Sequence, residues 1–102
     1  MPRIVSSSEF KDVVLGADKP VLVDFFATWC GPCRGLEPTI EEIEAEMEGK
    51  ALVCKVDVDQ CADIARSYHI MSVPTLMVFE NGEVKNETVG AQPKPALMAL
   101  FD

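Results

Sequence analysis

The stretch from Val21 to Phe26 limits the possible folds more than any other part of the chain. It follows Pro20, and every residue in it except Asp24 is apolar, most of them β-branched or aromatic. A strand with one face in water alternates polar and apolar residues, whereas this one is almost continuously apolar. It therefore predicts a central strand buried on both faces, which requires an α/β fold with helices on both sides of a sheet.

Other elements follow along the chain in alternation. Ile4-Val5 predicts a short first strand, followed by a helix capped by Ser6 or Ser7 and ended by Gly16. From Cys33 onward, apolar residues recur at steps of four, three and four, which predicts an amphipathic helix ending at Gly49. The remaining predicted elements are a strand at 52–58, a helix at 62–68, strands at 75–79 and 83–89, a last helix opened by Pro93, and a kink at Pro38 inside the second helix.

Asn81-Gly82 separates the last two predicted strands and is a strong hairpin signal, which makes those strands antiparallel neighbours. The resulting order, β-α-β-α-β-α-β-β-α, predicts a central five-stranded mixed sheet flanked by four helices. With 102 residues, we expect a single domain spanning 1–102.

Charge and hydropathy restrict the kinds of partner. The net charge is −8, from 9 Lys+Arg against 17 Asp+Glu, which argues against nucleic acid or an anionic membrane as a main partner. The longest apolar stretch, 73–79, is too short to span a bilayer. The N-terminus has no apolar core typical of a secretory signal, so we expect a cytoplasmic protein.

The pair Cys30-Gly31-Pro32-Cys33 falls between the buried strand and the start of a helix. Free backbone N–H groups and the helix dipole favour an anion there, so Cys30 should form a nucleophilic thiolate. Closing a four-residue loop removes only about 2 kcal/mol of unfolded-chain entropy, which makes the pair a poor structural staple. We therefore expect dithiol–disulfide exchange, with Cys30 as an exposed nucleophile and Cys33 as a more buried thiol that resolves the mixed disulfide.

The main alternative for a C-x-x-C pair is half of a zinc site, which needs two further ligands. The candidates are Cys54, Cys61 and His69, but no second C-x-x-C exists, so we predict no metal. Cys54 is predicted to be a small core residue. Cys61 is expected to be more exposed, with a regulatory or dimer-forming role as an alternative.

Asp24 stands inside the most apolar strand, where burial without a partner raises the pKa of a carboxyl group. It is predicted to accept the proton that Cys33 loses when Cys33 attacks the mixed disulfide; the alternative is an aspartate at a strand edge that reaches water. Lys55, within the third strand, either tunes Asp24 through its charge or extends to solvent at the rim of the sheet.

Three segments together resemble the thioredoxin family, and they cover essentially the whole chain in order and length. These segments are Asp24-Phe25-Phe26-Ala27 with Trp29-Cys30-Gly31-Pro32-Cys33, Val73-Pro74-Thr75 with Leu76-Met77-Val78-Phe79, and Val89-Gly90-Ala91. Phe26 departs from the family pattern, because many members carry a second tryptophan there.

The resemblance implies a thioredoxin fold, a cis peptide bond before Pro74, and pairing of the Val73 backbone with the substrate chain. It also implies a flat apolar substrate-binding surface around Cys30. That surface consists of Trp29, Gly31, Pro32, Val73, Pro74, Gly90 and Ala91.

The activity implied by the resemblance is reduction of disulfides in diverse proteins. The implied recycling partner is a thioredoxin reductase, either flavin-dependent and fed by NADPH or linked to ferredoxin. The chain has no Gly-rich nucleotide fingerprint, so we expect it to hold no cofactor, and we expect a monomer. Two alternatives remain: a disulfide oxidase or isomerase, and a non-catalytic binding module that uses the apolar surface.

Overall fold

A computed structural model describes all 102 residues and contains one five-stranded sheet. The strands run β1-β3-β2-β4-β5 across the sheet; β1, β3 and β2 are parallel, whereas β4 is antiparallel to β2 and β5 to β4. The predicted mixed sheet is therefore confirmed. The strand bounds are β1 Arg3–Ile4, β2 Val21–Phe26, β3 Leu52–Asp57, β4 Thr75–Glu80 and β5 Glu83–Val89.

Four α-helices connect and flank these strands, as expected. Two of them have irregular extensions, because α1 continues as a π-helical segment and α4 as a 3-10 turn. The bounds are α1 Ser7–Phe10 with Lys11–Leu15, α2 Gly31–Glu46, α3 Ala62–Ser67, and α4 Lys94–Met98 with Ala99–Phe101.

The longest helix, α2, begins at Gly31, with Cys30 at its N-cap as the sequence predicts and Pro32 in its first turn. Its apolar stripe is buried as the spacing predicts, with Leu36, Ile40 and Ile43 almost inaccessible to solvent. The helix ends at Glu46, earlier than predicted, and Gly49 follows with a left-handed φ of 82°.

The hairpin between β4 and β5 follows the prediction closely. Asn81 and Gly82 both have positive φ, 54° and 80°, as the two central residues of a type I′ turn require. Asparagine and glycine tolerate this backbone conformation best, so the dipeptide fixes the antiparallel pairing.

Two core clusters lie on opposite faces of the sheet, because side chains alternate along each strand. Val21, Val23 and Phe25 point into a cluster of 11 buried residues that also holds α1 side chains. Leu22 points the other way, into a cluster of 9 with the stripe of α2 and with Leu97 of α4. The central strand β2 is buried on both faces, as predicted, and its last residue, Phe26, packs against Cys30 and Cys33 at the start of α2.

Cys61 is buried, and its expected exposure is wrong. The residue is 3% exposed, packs in the cluster that contains Phe25, and its thiol donates to the carbonyl oxygen of Val5 at 3.6 Å. Its position at the N-cap of α3 suggested an open helix start, but the chain just after β1 covers it.

The first strand is also displaced by one residue, since Val5 follows β1 and is buried as a core residue.

Candidate active site

The Cys30–Cys33 pair forms a disulfide at the start of α2, with the two Cα atoms 5.3 Å apart. The turn after β2 is held by the Cys30 N–H, which donates to the Ala27 carbonyl oxygen at 3.2 Å. The Cys33 N–H donates to Cys30 Sγ at 3.2 Å, so a free backbone donor of the helix is directed at this sulfur. The same donor and the helix dipole would stabilise a thiolate on Cys30 after reduction.

Both cysteines of the pair are buried in the oxidised form, which contradicts the expected contrast between an exposed Cys30 and a buried Cys33. Cys30 is 4% exposed and Cys33 3%. Both pack with Phe26 and Ala27, and Val73 covers them from the opposite loop. Cys30 Sγ lies 3.7 Å from the Val73 carbonyl oxygen.

The loop opposite the sulfurs contains the expected cis peptide bond between Val73 and Pro74. The Gly90 N–H donates to the Pro74 carbonyl oxygen at 2.8 Å, which joins the loop after β5 to this loop. Thr75 Oγ1 donates to the Ser72 carbonyl oxygen at 2.7 Å and closes the turn from the other side. The structure therefore brings Val73, Pro74 and Gly90 together beside Cys30.

Trp29 extends the site beside Val73. Its side chain is 68% exposed, and its indole N–H donates to Asp59 Oδ2 at 2.9 Å, which fixes the ring. Trp29 and Val73 border a shallow depression of about 120 Å³. The other residues that line this depression are Val58, Ile70, Met71 and Ser72.

Sequence reasoning missed Met71 and Asp59. Met71 is 92% exposed, and an apolar residue two positions before the cis peptide was the available signal. Nothing in the sequence pairs Asp59 with Trp29, because the contact joins two loops 30 residues apart.

The remaining predicted surface residues differ in exposure. Gly31, Pro32 and Ala91 are exposed, whereas Pro74 is buried. The surface beside the disulfide is thus open and shallow, and its one depression is smaller than the roughly 300–1,000 Å³ typical of small-molecule pockets. A surface of this shape suits a polypeptide substrate better than a small ligand.

Asp24 lies beneath α2, on the face of β2 that also carries Leu22 and Phe26. Its side chain is inaccessible to solvent, and neither carboxyl oxygen has a hydrogen-bond partner. Burial raises the pKa of Asp24 to about 6; the positive charge of Lys55 lowers it, and the negative charge of Glu37 raises it. A buried carboxyl group of this kind exchanges a proton near neutral pH.

Lys55 is the register neighbour of Asp24 on β3. Its ammonium group pairs with Glu37 Oε1 at 3.4 Å and lies 4.3 Å from the centroid of the Phe26 ring. Sequence reasoning missed Glu37, since a salt bridge from a helix to a strand 18 residues away has no local signal.

The other two cysteines are free thiols, and both pack on the opposite face of the sheet from α2. Burial raises the pKa of the Cys54 thiol to about 11, which makes it a poor nucleophile. No group of three or more His, Cys, Asp or Glu side chains is arranged to hold a metal ion. None of the helices has the length and apolar character needed to cross a bilayer.

Comparison with known proteins gives one consistent result. A family model described as Thioredoxin matches residues 2–102. A thioredoxin of Rickettsia felis is 48% identical over 98 residues, which cover 96% of this chain and 93% of that protein. Thioredoxin 1 of a Nostoc species is 50% identical over 98 residues, covering 96% and 92% of the two chains. Thioredoxin M5, chloroplastic, of rice is 43% identical over 99 residues, and this chain spans 58% of its length.

The family match covers nearly the whole chain, and the fold, the cis peptide bond and the Cys30–Cys33 disulfide agree with it. The chain therefore belongs to the thioredoxin family and is a thioredoxin-like protein-disulfide reductase, a dithiol–disulfide oxidoreductase.

Proposed function

We propose that Cys30 is the nucleophile and Cys33 the resolving thiol of this reductase. The observation that carries the assignment is the Cys33 N–H directed at Cys30 Sγ at the N-cap of α2, since this donor favours negative charge on Cys30. The Cys30 thiolate attacks one sulfur of the substrate disulfide, forms a mixed disulfide and releases the first substrate thiolate. The Cys33 thiolate then attacks Cys30 Sγ, which forms the Cys30–Cys33 disulfide and releases the second substrate thiolate.

Asp24 supplies the proton acceptor for the second step. Cys33 must lose its proton before it attacks, and it is buried on the α2 face above β2, where Asp24 is the only buried acid. Lys55 adjusts the charge balance at Asp24 from the neighbouring strand. The two electrons of the dithiol pass to the substrate, and the proton from Cys33 passes to Asp24.

The substrate chain binds across the surface formed by Trp29, Val73 and Gly90, with Gly31, Pro32, Pro74 and Ala91 completing it. Support comes from the short distance between Cys30 and the Val73 carbonyl, and from the exposure of Trp29 beside it. The Val73 backbone pairs with the substrate, and the shallow surface accepts many sequences by shape.

A thioredoxin reductase recycles the Cys30–Cys33 disulfide, and the protein works as a monomer in the cytoplasm. Two observations support recycling by a separate reductase: relatives of similar length are named thioredoxins, and the chain carries no nucleotide fingerprint of its own. Gel filtration tests the monomer, and fractionation of the producing cells tests the location.

Insulin disulfide reduction tests the function directly, first with dithiothreitol and then with NADPH and a thioredoxin reductase. We expect turnover in both assays for the natural protein and none for Cys30→Ser. Cys54→Ala is the matched control, because it removes a buried thiol outside the site. Absence of turnover with both reductants would overturn the proposal.

A further inference from the structure

Glu37 occupies a place on α2 that links the buried acid to solvent. It lies four residues after Cys33, on the next turn of the helix, and its side chain is 52% exposed. Its partner, Lys55, is only 12% exposed. The carboxylate of Glu37 therefore lies between the largely buried ammonium group of Lys55 and the solvent. The pair joins the helix that carries the resolving cysteine to the strand beside Asp24.

The ammonium group of Lys55 does not bind Asp24, although the two residues are register neighbours on parallel strands. Both oxygens of Asp24 lack a hydrogen-bond partner. The ammonium instead lies over the Phe26 ring and against Glu37, at 4.3 Å from the ring centroid and 3.4 Å from Oε1. A cation–π contact and an ion pair together hold the ammonium group away from Asp24.

A cavity of about 190 Å³ borders this arrangement. Phe26, Glu37 and Lys55 line it, and Asp24 does not. The volume is enough for a few water molecules, each of which takes about 30 Å³ in the liquid, and the charged groups of Glu37 and Lys55 can bind them. The cavity therefore reaches Lys55 and Glu37, whereas Asp24 lies outside it and is inaccessible to solvent.

We propose that Glu37 is a positioning residue for the resolving step: it holds the Lys55 ammonium against Phe26 and away from Asp24, and thereby keeps Asp24 able to accept a proton near neutral pH. This inference rests on the proposed role of Asp24.

The charges around Asp24 give the expected direction. Lys55 neighbours it on β3, β4 places the aliphatic Leu76 opposite, and Glu37 acts on it from α2 through its negative charge. Cys33 is the other titratable group buried on α2. If Glu37 loses its charge, a repulsion on the Asp24 carboxylate is removed and the ammonium is free to turn toward it. Both changes stabilise the ionised form of Asp24 relative to the protonated form, so they lower the pKa of Asp24 from its value of about 6.

The test is an NMR titration of the Asp24 carboxyl carbon in the reduced protein at low salt. We expect Glu37→Gln to move the midpoint to lower pH by about half a unit, because Glu37 is half exposed and partly screened. Glu48→Gln is the matched control; it removes the same charge beyond the end of the same helix and should move the midpoint by less than about a third of that.

The Lys55→Gln background separates positioning from a simple charge effect. In that background we expect Glu37→Gln to shift the Asp24 midpoint by less than half as much, since there is no ammonium left to release. A shift from Glu37→Gln no larger than that from Glu48→Gln would overturn the inference. So would an undiminished shift in the Lys55→Gln background.

The proposed function has a separate readout. The rate at which Cys33 resolves a mixed disulfide, measured against pH, should depend on Asp24 and should move to lower pH in Glu37→Gln together with the titration. If Asp24→Asn leaves that pH profile unchanged, the role of Asp24 is wrong, whatever the titrations of the Glu37 variants show.

Discussion

The two faces of β2 differ in what they contribute. One face carries Val21, Val23 and Phe25, which pack only against other core residues. The other carries Asp24 between Leu22 and Phe26, beneath the helix that begins at the disulfide. One strand thus stabilises the fold with one face and, with the other, holds an unpaired acid that lowers the stability of the fold at neutral pH. The difference indicates that burial alone does not identify a structural residue.

The largest effect is expected on the apolar face. Phe25→Ala removes a fully buried ring and should lower the free energy of unfolding by about 3–5 kcal/mol. Urea denaturation measures this loss. Insulin reduction per folded molecule should remain near that of the natural protein, since Phe25 faces away from the disulfide. A loss of turnover in the fully folded variant would contradict the assignment of this face of β2 to stability alone.

Asp24→Asn should have the opposite effect on stability. The pKa of this carboxyl rises from an ordinary 3.8 to about 6, so the folded state disfavours the charge that the residue carries at pH 7. A shift of about two units corresponds to about 3 kcal/mol, which the amide would recover at neutral pH. The variant should unfold at higher urea concentration yet resolve mixed disulfides more slowly. Lower stability in Asp24→Asn would contradict the account.

The pH dependence of stability tests whether the Asp24 carboxyl group is the source of this loss of stability. A carboxyl whose pKa is higher in the folded state binds its proton more tightly there, so its contribution favours folding below about pH 4 and is lost as the pH rises to about 6. The difference in unfolding free energy between Asp24→Asn and the natural protein should therefore grow from near zero at pH 4 to its full value above pH 6. A difference that is constant with pH would show that Asp24 is not the titrating group.

The smallest effects are expected at the free thiols on the apolar face. Cys54→Ala and Cys61→Ala each remove a buried sulfur and should lower stability by about 1 kcal/mol without changing insulin reduction. In the folded protein both thiols should react slowly with a maleimide. Rapid labelling of Cys61 at a rate independent of urea would contradict its burial and would support the hypothesis, drawn from its sequence position, that Cys61 is an exposed regulatory thiol.

Local patterns were enough to predict most of the fold. The apolar run of β2, the stripe of α2 and Asn81-Gly82 each encode their structure within a few residues, so the mixed sheet followed from them. The burial of Cys61 was not predictable in this way, because the chain at Val5, 56 residues away, provides the cover.

The features of the site also fall into those with a local sequence signal and those that depend on contacts between distant parts of the chain. The C-x-x-C pair and the buried Asp24 have local signals, one in spacing and the other in an apolar context. The contact of Glu37 with Lys55 and that of Trp29 with Asp59 join different elements, and the near-complete burial of Cys30 depends on the Val73 loop. These features arise only when the chain is folded.

The central claim is that Cys30 attacks the substrate and Cys33 resolves the product, and mass spectrometry of trapped mixed disulfides tests it most directly. Reduced Cys33→Ser and reduced Cys30→Ser are each incubated with a disulfide-containing protein such as insulin. We expect Cys33→Ser to accumulate a covalent adduct through Cys30, which dithiothreitol releases, and Cys30→Ser to accumulate none. An adduct through Cys33 in Cys30→Ser, with none in Cys33→Ser, would contradict it.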